Sequence, residues 1–456
     1  MVDLRPYQEK LLADIRTAMR VDGYRRIVAV MPTGAGKGTT IGAMVAGAAR
    51  KGRRTLVLAH RGVLIQQLSR TATGWGVPHG VISAGSKVDN QWLVQVGSVQ
   101  TVIRRLENMA APDLIIVDEA HHVVLNNMWG KVVGRWPDAV LIGKTATPIR
   151  SSDGRGLGEV FQEMVLGPSA AELTEMGYLA RARVFAPPIG FDPKGLRKRM
   201  GDFDQGEAGE RLMVTSVMGS AVGHYQQHLK GGTAVAFCCS IRHAEATAEA
   251  FRAAGVRAAS IDGKTPNRGE LLRDLGTGAL QVLTSCDLIG EGVDVPSVAG
   301  CLLLRPTQSE GLHLQMIGRC LRPSEGKDAA VVLDHVGNVA RLGHHLEERE
   351  WTLDGVRKRA REGGPAVPVR ECPVCYAAMP GGVAVCEECG HVFVLRTATI
   401  QTVEGQLQEV LMQRRERKKE QGSARSFEDL VEVGRRRGMK NPHGWARHVM
   451  TARGRR

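Results

Sequence analysis

Aromatic side chains make up only 4% of this 456-residue chain, so its cores must rest on Val, Ile, Leu and Ala. Long apolar runs are missing too. None reaches the ~18 residues that read as a bilayer span, so no membrane segment is expected. The opening Met1-Val-Asp-Leu-Arg5 has no basic stretch followed by an apolar one, so no secretory leader is expected. Cysteines number nine, an odd count that suits no simple disulfide framework. Cys238, Cys239, Cys286, Cys301 and Cys320 sit in or beside apolar runs, where buried free thiols are common. A reducing, cytoplasmic setting is the expectation. Acidic residues are the minority, 47 against 61 Lys and Arg, for a net charge of +14. That excess favours a polyanionic partner. It is uneven, since residues 352–456 hold 20 Lys and Arg against 12 Asp and Glu. No internal repeat is evident.

What is present is a succession of short β-rich apolar runs. Residues 27–31, 55–58, 114–117 and 140–142 form one set, and 233–237, 281–284, 301–304 and 330–333 a second. They are continuous rather than alternating, which suits strands covered on both faces of a parallel sheet. Helical patterns separate them, as over 242–254. Two sets of this kind predict two doubly wound α/β domains with right-handed crossovers. A hinge is expected between Gly167 and Ala186.

Four strings fall beside these strands in a telling order. Pro32-Thr-Gly-Ala-Gly-Lys-Gly38 follows the first strand and precedes a helix, so Thr33, Gly34, Ala35, Gly36 and Lys37 form a phosphate loop. Backbone N–H groups turn inward there, and Lys37 bridges the outer phosphates. The next residue, usually Ser or Thr to hold Mg²⁺, is Gly38. Either Thr39 reaches the metal through a shifted loop, or water fills that ligand position. Asp118-Glu-Ala-His121 follows another strand, at the end that faces the crevice. Asp118 would hold Mg²⁺ and Glu119 would orient and deprotonate the attacking water. Thr145-Ala-Thr-Pro148 is the third string. In the fourth, Gln315-Met-Ile-Gly-Arg-Cys-Leu-Arg322, Arg319 and Arg322 share a helix face and would neutralise charge on the γ-phosphoryl oxygens. Gly292 and Asp294 follow a buried strand of the second set, with Asp294 placed to touch the ribose or Arg319.

Together these residues resemble superfamily 2 helicases of the DEAD/DEAH-box type, over roughly residues 4–338. The resemblance implies two tandem RecA-like lobes that use ATP and Mg²⁺, at 1–175 and 176–350. A linker at 351–369, a zinc ribbon at 370–396 and a basic helical tail at 397–456 complete the expected layout. It also implies that Arg5 and Gln8 read the adenine. His60, Arg61, Gln100 and Thr101 of lobe one, with Thr284 of lobe two, would contact the nucleic-acid strand. His121, Thr145 and Thr147 would couple hydrolysis to lobe movement. Gly177-Tyr-Leu-Ala180 and Asp334-His-Val-Gly-Asn338 resemble phage- and prophage-encoded members, which implies a bacterial or phage-infected cell. Gly38 departs from the family's usual Thr.

The remaining cysteines form Cys372-Pro-Val-Cys375 and Cys386-Glu-Glu-Cys389. Two such knuckles ten residues apart suit one tetrahedral Zn²⁺ with four thiolates, a closed and therefore structural site. Ser426-Phe-Glu-Asp429 reads as a helix start, with Phe427, Leu430 and Val431 on one face. A nuclease metal site at Asp334, His335, Asn338, His344 and His345 is disfavoured, since the first two follow a strand. The expected activity is an ATP-dependent helicase or translocase, on DNA in preference to RNA. An RNA helicase, an ATP-gated clamp, and a motor or recruiting subunit of a larger nuclease assembly stay open. In the last, ribbon or tail would bind a protein partner.

Overall fold

The computed structural model describes residues 3–150, 155–186, 191–199, 201–213, 215–286, 298–356, 369–381, 383–393, 424, 426–436 and 442–453. Residues 287–297, which include Gly292 and Asp294, lie outside the described residues, as do most of the expected linker and 394–423. Two compact units divide the chain, Met1–Phe393 and Val394–Arg456.

Two large sheets, beside two small two-stranded ones, form among the described residues of the first unit. In space, the first runs Gly80–Ile82, Val94–Ser98, Thr55–Ala59, Leu114–Asp118, Val140–Thr145, Arg26–Val30 and Glu163–Leu166, with every pairing parallel. Its central strands are buried almost end to end, as strands covered by helices on both faces must be. The second sheet places Ala258–Ile261, Val282–Ser285, Ala234–Cys238, Gly300–Leu304, Ala329–Asp334 and Arg181–Phe185 side by side, again parallel. All eight apolar runs read from the sequence are strands of these two sheets.

The second sheet continues where no sequence signal pointed. Strand Ala377–Met379, lying between the two cysteine pairs, adds antiparallel to Arg181–Phe185, and Arg370–Glu371 adds beyond it. Ala186 N donates to Tyr376 O at 2.9 Å, and Arg183 Nε donates to Glu388 Oε2 at 2.6 Å. The cysteine module is therefore built onto the sheet edge. An edge strand left open is a pairing hazard, and this one is covered.

In the second unit, helix Phe427–Arg436 starts with reciprocal bonds between Ser426 and Asp429, at 2.9 and 3.0 Å. Leu430, Val431 and Val433 are buried with Ala446 and Val449 of helix Pro442–Arg453, a small helical pair with its own core.

Candidate functional site

Parallel strands put their C-terminal ends on one edge, and the loops there line the crevice. Arg26–Val30 leads into the phosphate loop, Leu114–Asp118 into Glu119, and Val140–Thr145 into Ala146 and Thr147. Gly36 adopts φ +79°, left-handed geometry that favours glycine, and helix Lys37–Ala49 begins one residue later. Its neighbour is fixed as well. A Cβ on Gly36 would lie 2.4 Å from Gln8 Nε2, so the adenine-motif glutamine presses directly on the loop.

That motif grips the loop through one carbonyl. Tyr7 Oη donates to Ala35 O at 2.9 Å and Gln8 Nε2 donates to the same oxygen at 3.3 Å. Gln8 Oε1 accepts from Arg5 N at 3.0 Å. The Arg5 guanidinium stands 4.8 Å over the Tyr178 ring, whose centroid is 4.9 Å from that of Tyr7. Tyr7 and Tyr178 thus join a site for which the sequence offered only Arg5 and Gln8.

A cavity of about 530 Å³ opens beside the loop. Thr33, Gly34, Gly36, Lys37, Gly38, Thr39, Asp118, Glu119, Arg319 and Arg322 all line it. The two lobes meet here. A Cβ on Gly318 would fall 2.4 Å from Thr33 Cβ, so only glycine lets the arginine-bearing segment approach the phosphate loop so closely. Gln315 is buried on helix Glu310–Gly318 and does not line the cavity.

The acidic pair has unusual surroundings. Glu119 sits at φ 53°, strained for a residue with a side chain, as groups held at functional sites often are. Its Oε1 lies 3.5 Å from Lys37 Nζ and its Oε2 lies 3.5 Å from His121 Nδ1. From there a polar chain leads away from the site. His121 Nδ1 pairs with Thr145 Oγ1 at 2.9 Å, and Thr145 Oγ1 donates to Thr147 O at 2.9 Å. Thr147 in turn packs on the second lobe, where a Cβ on Gly311 would lie 2.9 Å from Thr147 Oγ1. Asp118 is buried, and burial first and Glu119 second push its carboxyl up to about 6.

Beside Tyr7 and Tyr178, one buried cation of this site was not foreseen in the sequence. Lys144 pairs in register with Asp118 across neighbouring strands and is fully buried. Its Nζ approaches the Met31 thioether at 3.4 Å, and burial, then the nearby Lys37 charge, push its pKa down to about 7. A lysine closing the apolar run of a buried strand was the signal available.

Four of the residues expected to meet nucleic acid cluster at the next strand ends. Gln100 Nε2 donates to His60 O at 2.9 Å, Arg61 Nε donates to His60 Nε2 at 3.2 Å, and Thr101 follows Gln100 on helix Val99–Val102. Thr284 does not join them. It is fully buried in its strand, with its hydroxyl donated to Ala244 O at 2.7 Å, so it offers no surface to a strand of nucleic acid. Asp334 is likewise engaged internally, accepting from Val336 N at 3.1 Å and Val339 N at 2.6 Å, and among the described residues it joins no cluster of metal-ligating groups.

The sulfur atoms of Cys372, Cys375, Cys386 and Cys389 all lie within 4.8 Å of one another. Cys372 to Cys389 and Cys375 to Cys386 are each 3.6 Å. Four sulfurs about 2.3 Å from a central ion stand at roughly this mutual distance, so the donor set fits a tetrahedral thiolate site.

Comparison with known proteins agrees with this geometry. The family "Type III restriction enzyme, res subunit" matches residues 1–150, and "Helicase conserved C-terminal domain" matches 215–324. A 51.5 kDa protein of a Lactococcus phage (isolate 7-9) is 32% identical over 367 residues, 79% of this chain and 77% of its own length. The chain belongs to the superfamily 2 helicases. This helicase is also 27% identical to a Saccharomyces cerevisiae protein carrying the name ATP-dependent helicase IRC3, over 73% of the chain but about half (51%) of the yeast protein. Among solved structures it resembles a fragment of an HsdR subunit of a type I restriction enzyme from Vibrio vulnificus YJ016. That match has a TM-score of 0.58 at 21% identity, covering 75% of the helicase and 65% of the fragment. The Type ISP restriction-modification enzyme LlaBIII, solved bound to DNA, matches at a TM-score of 0.53 and 16% identity, covering 74% of the helicase and 28% of that enzyme. The last two likenesses are of fold. The helicase is thus an ATP-hydrolysing enzyme whose family uses ATP and Mg²⁺. None of its described helices is long and apolar enough to cross a membrane.

Proposed function

We propose that this helicase is a DNA motor in which ATP closes the two lobes on one strand and hydrolysis reopens them. The observation behind this reading is the unbroken contact path from Glu119 through His121, Thr145 and Thr147 to Gly311 of the second lobe. Lys37 draws the outer phosphates, and Asp118 is the carboxylate for the metal. Held there by Asp118, Mg²⁺ would supply positive charge to offset the negative charge developing on the phosphate oxygens. Glu119 orients water and takes its proton. Arg319 and Arg322, brought to the same cavity by the second lobe, face the γ-phosphoryl group. Release of that group loosens the Gly318–Thr33 contact and frees the lobes to part.

His60, Arg61, Gln100 and Thr101 form the strand-facing surface. Sequence-tolerant phosphate contact, weakened by salt, is expected from them and from the basic tail. DNA as the substrate is supported by the restriction-enzyme family description of residues 1–150 and by the DNA-bound state of the LlaBIII enzyme. The four cysteines hold one structural Zn²⁺ as thiolates, in keeping with a reducing cytoplasm.

The test is ATP hydrolysis measured with single-stranded DNA, duplex DNA and RNA in turn. Stimulation greatest with DNA is expected, and stimulation by RNA alone would replace the DNA reading. A second reading, an ATP-gated clamp, is favoured only by Gly38. It would require a wild type that binds ATP without turnover and gains activity as Gly38→Thr.

A further inference from the structure

Lys144 has no place in the mechanism so far, and its burial is costly. An ammonium group taken out of water loses several kcal/mol of hydration unless it is paired. Here its sole hydrogen-bond partner among the described residues is the Met31 sulfur, a weak acceptor. Packing alone would be met better by Leu or Met at this position of an otherwise apolar strand.

Its placement says what the charge is near. Lys144 is the in-register neighbour of Asp118, and in a parallel pair such neighbours project to the same face of the sheet. Met31, which it touches, is the residue just before the phosphate loop, and Thr40 Oγ1 of the loop's helix reaches the same sulfur at 4.0 Å. The ammonium therefore shares the Met31 sulfur with the first turn of the loop's helix and a sheet face with Asp118. This is the neighbourhood where Gly38 lacks the usual hydroxyl ligand.

We propose that Lys144 is a second, built-in phosphate-attracting cation that acts from its buried strand and reduces the site's reliance on Mg²⁺ for holding nucleotide. This rests on the ATP-site reading above and adds a positioning residue to it. Lys144 acts through its field, since it is sealed from solvent, and charge–charge interactions are strong where water is excluded. The same field opposes a divalent cation at Asp118. Two consequences follow in opposite directions. Lys144 strengthens binding of metal-free ATP, and it raises the Mg²⁺ concentration that hydrolysis needs.

Lys144→Met keeps the length and packing while deleting the charge, and Lys144→Gln provides a second neutral variant should one fold poorly. Calorimetric titration of the full chain with ATP in EDTA should show binding weakened by about tenfold in both variants. Binding of ATP with Mg²⁺ should change less, and half-maximal hydrolysis should need several-fold less Mg²⁺. A purely structural lysine would move neither quantity. Unchanged affinity in EDTA, or an unchanged or increased Mg²⁺ requirement, overturns the proposal. Lys37→Ala separates the two levels of argument. If that variant hydrolyses ATP normally, the site reading itself fails, whereas a silent Lys144→Met beside an inactive Lys37→Ala sinks this inference alone.

Discussion

Gly38 is the residue at which this site departs from its family, and the structure defines how that departure can be probed. A Cβ there would meet nothing nearer than Thr71 Oγ1 at 3.9 Å, so a side chain can branch from residue 38 without a clash at its first atom. Gly38 and Thr39 both line the cavity. If Thr39 supplies the metal ligand, Thr39→Ala should raise the Mg²⁺ requirement of hydrolysis and Gly38→Thr should leave it nearly unchanged. The reverse pattern in an Mg²⁺ titration would assign the ligand position to residue 38. At the same scale, Glu119→Gln should retain ATP binding and stall turnover, because it keeps the side-chain shape while removing the base. Normal turnover in that variant contradicts the role given to Glu119. These residues were legible because phosphate loops and strand-end acids depend on short, contiguous spacing. Lys144 was not, since its meaning arises only when the sheet sets it beside Asp118, 26 positions earlier in the chain. Thr284 was expected at the nucleic-acid strand from the family resemblance, and its burial against Ala244 shows only in the packed sheet.

Among the elements, the cysteine module departs most from the sequence expectation. It reads as an independent bead after a linker, yet one of its strands completes the second sheet against Arg181–Phe185. A three-residue strand pairing with a segment some two hundred residues earlier leaves no local pattern to detect. The consequence is a link between the proposed zinc site and the motor. Tyr178, on the Arg5 guanidinium, and Leu179, 3.0 Å from where a Gly34 Cβ would be, lie just before that strand. Removing the metal by chelation, or by Cys386→Ser, should therefore destabilise the second lobe rather than the ribbon alone. A fall in melting temperature of roughly 5 °C is expected, in line with a loss of one to two kcal/mol in a domain of this size. The bared edge strand should also promote aggregation. Scanning calorimetry of the zinc-loaded and stripped protein checks this, and an unchanged main transition would show that the ribbon is energetically separate.

Across the whole molecule, buried histidines make the second lobe sensitive to acid. Burial lowers His243 and His344 to about 4 and His313 and His335 to about 3. The unfolded chain binds protons at these groups near pH 6.5, before the folded chain does. Stability is thus full above about pH 6.5 and declines as pH falls toward 4, by about 1.4 kcal/mol for each such histidine per pH unit. Melting followed between pH 7.5 and 5 should show a steep fall in the transition of the second lobe. A transition indifferent to pH across that range would mean these rings are hydrated. The two-sheet plan was readable in the sequence because continuous apolar runs and Gly-rich turns report burial directly. The way the lobes touch was not, since Gly311 and Gly318 matter only through what they approach.

In this mechanism both lobes build one ATP site. Turnover of the full chain under DNA stimulation, compared with Arg319→Ala and Arg322→Ala, tests it most directly. Losses of roughly 10³-fold are expected for a removed arginine finger, with ATP still bound. Near-normal turnover in both variants would mean that the first lobe catalyses alone, and would contradict it.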